Sequence, residues 1–128
     1  MDTGLDDSAA SGLLPPVASK YLAASDRGDI DAIVACFTHD AVVLDEDRHW
    51  HGADAIRQWR ENAATAFEYT VAIIGSEALG EVGGEQRHEV YTHLEGNFPG
   101  GQVDLTNRFT LRGDLIVGLE IVPTALTS

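Results

Sequence analysis

Residues 102–112 read QVDLTNRFTLR, and along them apolar and polar side chains alternate. This period of two is typical of a β-strand with one face in a core. One row consists of Val103, Leu105, Asn107, Phe109 and Leu111, and the other of Asp104, Thr106, Arg108, Thr110 and Arg112. The first row is predicted to face the core, because a shift of one residue would bury one aspartate and two arginines.

Asn107 is the polar residue in this inward row. A buried amide without hydrogen-bond partners costs on the order of 1–3 kcal/mol. Asn107 is therefore predicted either to be tied to backbone or water, or to face a cavity where a ligand can meet it. The residues alone give these two interpretations about equal weight.

The neighbouring segments have the same period. Residues 70–79, 87–95 and 115–121 are predicted strands, separated by glycine-rich turns. Gly113-Asp114 is predicted to be a two-residue hairpin turn. In the segment 87–95, His88 begins the row predicted to face inward, which makes it a candidate for the edge of a cavity.

Before residue 69 the apolar residues recur with the helical period of 3.6. A first helix is predicted from Pro15-Pro16 to the break at Gly28. A second is predicted to be capped by Asp29, with Phe37 completing its apolar face.

A third helix is predicted after Gly52, preceded by a short strand at 41–45. Its buried face is predicted to carry Ile56, Trp59 and Ala63, with Arg57, Arg60 and Glu61 off that face. Helices followed by antiparallel strands predict an α+β fold, in which the helices cover one face of a curved sheet. Residues 1–14 are predicted to be a flexible leader, and residues 15–128 a single domain.

The composition describes one ordinary globular domain: 128 residues, 44% hydrophobic and 23% charged. Acidic residues outnumber basic ones 21 to 8, for a net charge of −13. Such a chain repels phosphate backbones and anionic lipid, so neither nucleic acid nor a membrane is an expected partner. Cys36 is the single cysteine, which excludes an internal disulfide and, with no apolar run of about 20 residues, favours a cytoplasmic protein.

A metal site is one interpretation of His49-Trp50-His51, which follows three acidic residues at 45–47. Two histidines at this spacing share one side of a strand and could begin a site of two histidines and a carboxylate. No third ligand follows at a recognisable spacing, so an exposed loop is favoured, with no metal and no cofactor.

Two further polar residues stand beside predicted core positions. Asp45 ends the strand at 41–45, in which both rows are apolar, so the pattern does not show which way its carboxylate faces. Tyr21 lies on the same helical face as Val17, and a buried phenol usually finds a hydrogen-bond partner.

The chain resembles the nuclear transport factor 2-like superfamily over most of residues 15–122. The resemblance rests on Lys20-Tyr21-Leu22, on the run from Gly28 to Val34, on Phe37, on His39 to Val43, on Asp45, and on His51-Gly52 with Ile56 and Trp59. The nearest named relatives are the ketosteroid isomerases and the SnoaL-like polyketide cyclases. The resemblance implies a cone-shaped, cystatin-like antiparallel sheet wrapped around three helices, with an apolar pocket at its wide end.

The resemblance also implies roles for particular residues. Tyr21 falls where the isomerases place the phenol that donates to the developing oxyanion, Asp45 on their general base, and Asn107 on or beside a second acid. Phe37 and Arg60 depart from the pattern, since some isomerases carry supporting tyrosines there.

These roles lead to a hypothesis of proton abstraction next to a carbonyl. A carboxylate in an apolar cavity is poorly solvated and therefore more basic; Asp45 would take the proton, and Tyr21 and Asn107 would hold the enolate. The wall for a flat, apolar, steroid-like or polyketide-like ligand is predicted to include Phe37, Trp50, Trp59, Phe67, His88 and Phe109.

The alternative is a protein without chemistry that binds a ligand or forms a homodimer. Such a dimer would pair through the outer sheet face, where Tyr91 and Ile116 are candidates. Metal-dependent chemistry through His49 and His51 is a third possibility.

Overall fold

A computed structural model of the chain describes residues 14–66 and 68–124. The helices are α1 (Pro16–Asp26), α2 (Ile30–Ala35) and α3 (Ala53–Ala66), and the strands are β1 (Phe37–Asp45), β2 (Arg48–His51), β3 (Tyr69–Val82), β4 (Glu85–Gly96), β5 (Gln102–Arg112) and β6 (Leu115–Pro123). Most of the predicted leader at 1–14, the whole of Phe67 and the side chain of Ala63 lie outside what the structure describes. The predicted α+β architecture is confirmed.

The first two helices begin where the sequence predicts. Pro16 occupies the first turn of α1, where its missing N–H costs nothing. The Asp29 side chain accepts a hydrogen bond of 3.1 Å from the Ala32 backbone N–H and so caps α2. The prediction that Phe37 completes the face of α2 was wrong, because the helix ends at Ala35 and Phe37 begins β1, paired with Ile116 of β6.

The strands form one curved, open sheet in the order β2-β1-β6-β5-β4-β3. β1 pairs antiparallel with β2, and β3 to β6 pair antiparallel in succession. The chain passes from β5 to β6 through the predicted turn at Gly113-Asp114. The pairing of β1 with β6 is parallel, which the wholly antiparallel sheet implied by the resemblance does not include. This pairing joins strands far apart in the sequence, so local alternation carries no signal for it.

The core lies between the helices and one face of the sheet. The predicted inward row of β5 is confirmed, since Asn107, Phe109 and Leu111 are all buried. In β4 the inward row includes buried His88, also as predicted.

Among the described residues, no helix is long and apolar enough to cross a membrane. Ile116 was expected at a dimer interface, but it is completely buried in the core beside β1 and has no surface to offer a partner. Tyr91 is half-buried, and its hydroxyl donates a hydrogen bond of 2.8 Å to Glu89.

Candidate active site

A cavity of about 670 Å³ opens between α1, α3 and the inner face of the sheet. This volume falls in the range of pockets that hold small organic ligands. Its apolar wall includes Leu22, Trp50, Trp59, Val71, Leu94, Phe98, Val103, Leu105 and Ile121. Tyr21, Asp45 and Asn107 also line it, so all three residues predicted to be catalytic meet one space.

Asp45 faces the cavity from the end of β1. Ala41 and Val43 are completely buried, and Asp45 continues their row. The Trp59 indole N–H donates a hydrogen bond of 2.9 Å to Asp45 Oδ2. The carboxylate is thus held by Oδ2, and no hydrogen bond to Oδ1 is seen among residues 14–66 and 68–124.

The turn after Asp45 has an unusual backbone. Glu46 and Asp47 have φ angles of 54° and 63°, in the left-handed region that favours glycine. This tight turn brings β2 back along β1, with Val43 opposite Trp50. It therefore places the Trp50 ring and the Asp45 carboxylate at the same cavity.

Tyr21 is 3% exposed and stands between two other rings. The Phe37 and Phe109 rings pack edge-on at centroid distances of 5.8 Å and 5.7 Å. Burial raises the pKa of Tyr21 to about 12, while the nearby positive charge of Arg60 acts in the lowering direction. The phenol therefore stays protonated at neutral pH, as a hydrogen-bond donor at the cavity wall.

Asn107 is tied to the protein. Its Nδ2 donates to the Val90 carbonyl oxygen at 3.1 Å and to Thr92 Oγ1 at 3.1 Å. Both N–H bonds of the amide are thereby used, and Oδ1 is its remaining polar atom. The expected donation from Asn107 to an enolate is therefore not supported by this geometry.

Several residues predicted for the ligand wall lie elsewhere. Trp50 and Trp59 line the cavity as predicted, but Phe37 and Phe109 do not, because both pack against the ring of Tyr21. His88 also lies outside it and lines a second depression of about 480 Å³ with Phe109. Burial lowers the pKa of His88, which favours a neutral imidazole there.

Arg60 is a cavity residue that the helical pattern missed. It was predicted to lie off the buried face of α3, but it is 7% exposed and lines the cavity. The family resemblance could have identified Arg60, because some isomerases carry at this position a tyrosine that supports the catalytic phenol.

His49 and His51 are both exposed, as expected, but the expected loop is wrong: Arg48–His51 form strand β2, which pairs with β1. Within the described ranges, no three His, Cys, Asp or Glu side chains lie together in a way that could hold a metal ion. The metal-dependent alternative has no support from this part of the chain.

Comparison with known proteins gives the family. Residues 18–119 match the profile described as a SnoaL-like domain. The chain belongs to the SnoaL-like family. A candidate polyketide cyclase from Sinorhizobium meliloti is 34% identical, with a TM-score of 0.77 over 88% of this chain and 98% of that one.

More distant structures share the fold of this SnoaL-like protein. A protein from Catenulispora acidiphila with a ketosteroid isomerase-like fold, in complex with trimethylamine, is 18% identical, with a TM-score of 0.68 over 84% of this chain and 85% of that one. The epoxide hydrolase/cyclase-like enzyme SalBIII, described in pyran ring formation in the polyether salinomycin, is 23% identical, with a TM-score of 0.67 over 84% and 88%. No protein of curated function matches the sequence. These two structures therefore show a shared fold.

Proposed function

We propose that this SnoaL-like protein binds a flat, largely apolar carbonyl compound and abstracts a proton from the carbon next to its carbonyl. The observation that carries the proposal is that a carboxylate, Asp45, and a protonated phenol, Tyr21, line one cavity with an apolar wall. The similarity to a candidate polyketide cyclase supports chemistry of this class.

Asp45 is the proposed base. Its carboxylate takes the proton, and the electron pair of the broken C–H bond forms the enolate, with negative charge on the carbonyl oxygen. The hydrogen bond from Trp59 fixes the carboxylate at one oxygen, which orients the other toward a bound molecule. The enolate carbon then either recovers the proton at another position, which isomerises the substrate, or attacks an electrophilic carbon, which closes a ring.

Tyr21 is the proposed donor to the enolate oxygen. The two phenylalanine rings against it fix its orientation, and a pKa of about 12 keeps its proton in place. A donor held in advance toward developing negative charge typically contributes about 10²–10³ in rate. Tyr21 and Asn107 were the two predicted donors to the enolate. Because Asn107 donates to residues of β4, the proposal rests on Tyr21.

Hydrogen exchange next to a carbonyl tests the proposal directly. β-Tetralone, a flat bicyclic ketone, is incubated with the protein in D₂O, and deuterium at its α-carbons is followed by NMR. Exchange above the buffer rate is expected. The Asp45→Asn variant, whose amide oxygen can still accept from Trp59, should lose about 10²–10⁴ of the enzymatic rate.

Asp47→Asn is the matched control, because Asp47 is exposed in the adjacent turn and asparagine tolerates its positive φ. Its exchange rate should equal that of the wild type. An Asp45→Asn rate within a few-fold of wild type would refute the base assignment.

The second candidate function is binding without chemistry. It is favoured by the engagement of both Asn107 N–H bonds with the protein, which leaves fewer donors for an enolate. Binding of β-tetralone without exchange would support it. The homodimer expected for either function is tested by the mass in solution, measured by light scattering.

A further inference from the structure

Arg60 is a buried cation that has no counterion within ion-pair distance among the described residues. It is 7% exposed, and its buried Nε has no hydrogen-bond partner among the described residues. It forms no ion pair with a carboxylate of residues 14–66 or 68–124. A desolvated guanidinium in this situation is costly.

The other arginines make this absence informative. Arg57, on the same helix, pairs with Asp31 at 2.7 Å, and Arg108 pairs with Glu89 at 2.8 Å. The chain carries 21 acidic residues against 8 basic ones, so carboxylates are abundant for pairing. Asp45 lines the same cavity, but the fold brings no carboxylate of the described residues within ion-pair distance of Arg60.

One contact to Arg60 comes from the neighbouring tryptophan. Its Cζ lies 5.0 Å from the centroid of the Trp59 ring, which is within the distance of a cation–π contact. This contact holds the guanidinium against a wall that the ligand also touches, but an aromatic face supplies no acceptor for the N–H groups. Since residues 14–66 and 68–124 supply no acceptor either, the N–H groups of Arg60 that face the cavity remain for whatever fills it.

We infer that the ligand of this cavity carries a carboxylate, and that Arg60 binds it. The planar fork of the guanidinium matches the two oxygens of a carboxylate and can bind them together. In an apolar cavity such a pair is strong, because little water competes with it. The inference deepens the proposed function, on which it rests, by narrowing the substrate class to apolar carbonyl compounds with a carboxylate group.

Two of the charged residues that line the cavity, Asp45 and Arg60, would then act on different parts of one molecule. Asp45 repels a carboxylate and Arg60 attracts it, so the acid group of the ligand is directed toward the Arg60 guanidinium. The reacting C–H bond is left for the Asp45 carboxylate at the end of β1. Charge thus orients a flat molecule that an apolar wall alone would hold in several ways.

Arg48 is a second arginine at the cavity, stacked on Trp50 with Cζ 4.3 Å from the ring centroid. It is exposed, so water screens its charge and a contact with it contributes little. The buried Arg60 is therefore expected to set the preference for an anion.

A matched pair of probes tests the inference without any chemistry. 2-Naphthoate and 2-naphthamide have nearly the same shape, but only the first is charged. Their affinities for the full chain are measured by calorimetry, and shifts of the two indole N–H signals in NMR show whether they bind in the cavity, since both tryptophans line it. The wild type is expected to bind the carboxylate at least tenfold more tightly.

Arg60→Gln should abolish this preference. Arg60→Lys should keep part of it, because lysine is also positively charged. Arg60→Met provides a second neutral variant of similar length in case the glutamine variant does not fold. Arg57→Gln, on the exposed face of α3, should keep the full preference. Equal affinities in the wild type, failure of 2-naphthoate to bind in the cavity, or loss of the preference in Arg48→Gln but not in Arg60→Gln would each overturn the inference.

The two proposals fail separately. Asp45→Asn removes the proposed base but leaves Arg60, so it should lose exchange on β-tetralone while its preference for 2-naphthoate is kept or increased. A protein that prefers the carboxylate but exchanges the α-protons of neither β-tetralone nor a tetralone that carries a carboxylate would refute the chemistry and leave the anion site standing. Exchange without any preference for the carboxylate would refute the anion site alone.

Discussion

Replacement of Asn107 by leucine separates a structural amide from one that serves a ligand. The side chain is 5% exposed and donates to the Val90 carbonyl and to Thr92 Oγ1. Leucine has a similar size but no donor, so two buried acceptors lose their partner, at about 1–3 kcal/mol each. Burial of the leucine side chain returns about 1.5–3 kcal/mol. The expected net loss in the free energy of unfolding is about 2 kcal/mol.

Urea unfolding, followed by the fluorescence of the two tryptophans, measures this loss. Thr92→Val is the matched partner variant and should be destabilised by about 1 kcal/mol, because one amide N–H is left unpaired. In the Asn107→Leu background the same change should cost about 0.5 kcal/mol or less, since the hydrogen bond is already gone.

Activity gives the second readout of Asn107→Leu. If both N–H bonds serve β4, α-proton exchange on β-tetralone in the folded variant should fall less than about tenfold, against the 10²–10³ expected for loss of an enolate donor. The result that would refute this reasoning is a variant whose stability is within about 0.5 kcal/mol of the wild type but whose exchange rate is a hundredfold lower. Asn107 would then be assigned as a donor to the enolate.

Three other perturbations follow from the same geometry. Tyr21→Phe should reduce exchange on β-tetralone by about 10²–10³ while calorimetry shows nearly unchanged affinity; a loss below about threefold would contradict the donor role. Arg60→Met should raise the urea midpoint, because an unpaired buried charge is replaced by an apolar chain; a lower midpoint would show that the cation is already balanced. The pKa of His93 is raised by its hydrogen bonds to Asp104 and Glu95, so its stabilising effect is complete below the unfolded value of about 6.5 and is lost as pH rises through the folded value. His93→Gln should therefore lower the urea midpoint at pH 5.5 more than at pH 9, and an equal effect at both would argue against the charged pair.

Much of the fold follows from local patterns because each pattern is fixed by neighbouring residues. The alternation along β5 requires one row to be buried, since the other row carries charge at Asp104, Arg108 and Arg112. The cap at Asp29 and the turn at Gly113 are likewise local features that a short stretch of sequence specifies. These were confirmed by the structure.

The misplaced residues share a dependence on distant contacts. Phe37 fits a helical face in sequence, but pairing with Ile116 of β6 draws it into a strand. Its ring then packs on Tyr21 instead of lining the cavity. Distant contacts also decide the orientation of Asp45 and the burial of Arg60, since each depends on where α3 lies against the sheet.

The sequence by itself determined the three helices, five of the six strands, the inward row of β5 and the superfamily, because backbone periodicity and capping act over a few residues. Only the tertiary structure decided that Asp45 faces the cavity, that Asn107 is tied to Val90 and Thr92, and that Arg60 is buried with no hydrogen-bond partner for its Nε in the part of the chain that the structure describes. Burial and pairing of a polar group depend on atoms brought from distant parts of the chain, and a local pattern contains no information about those atoms.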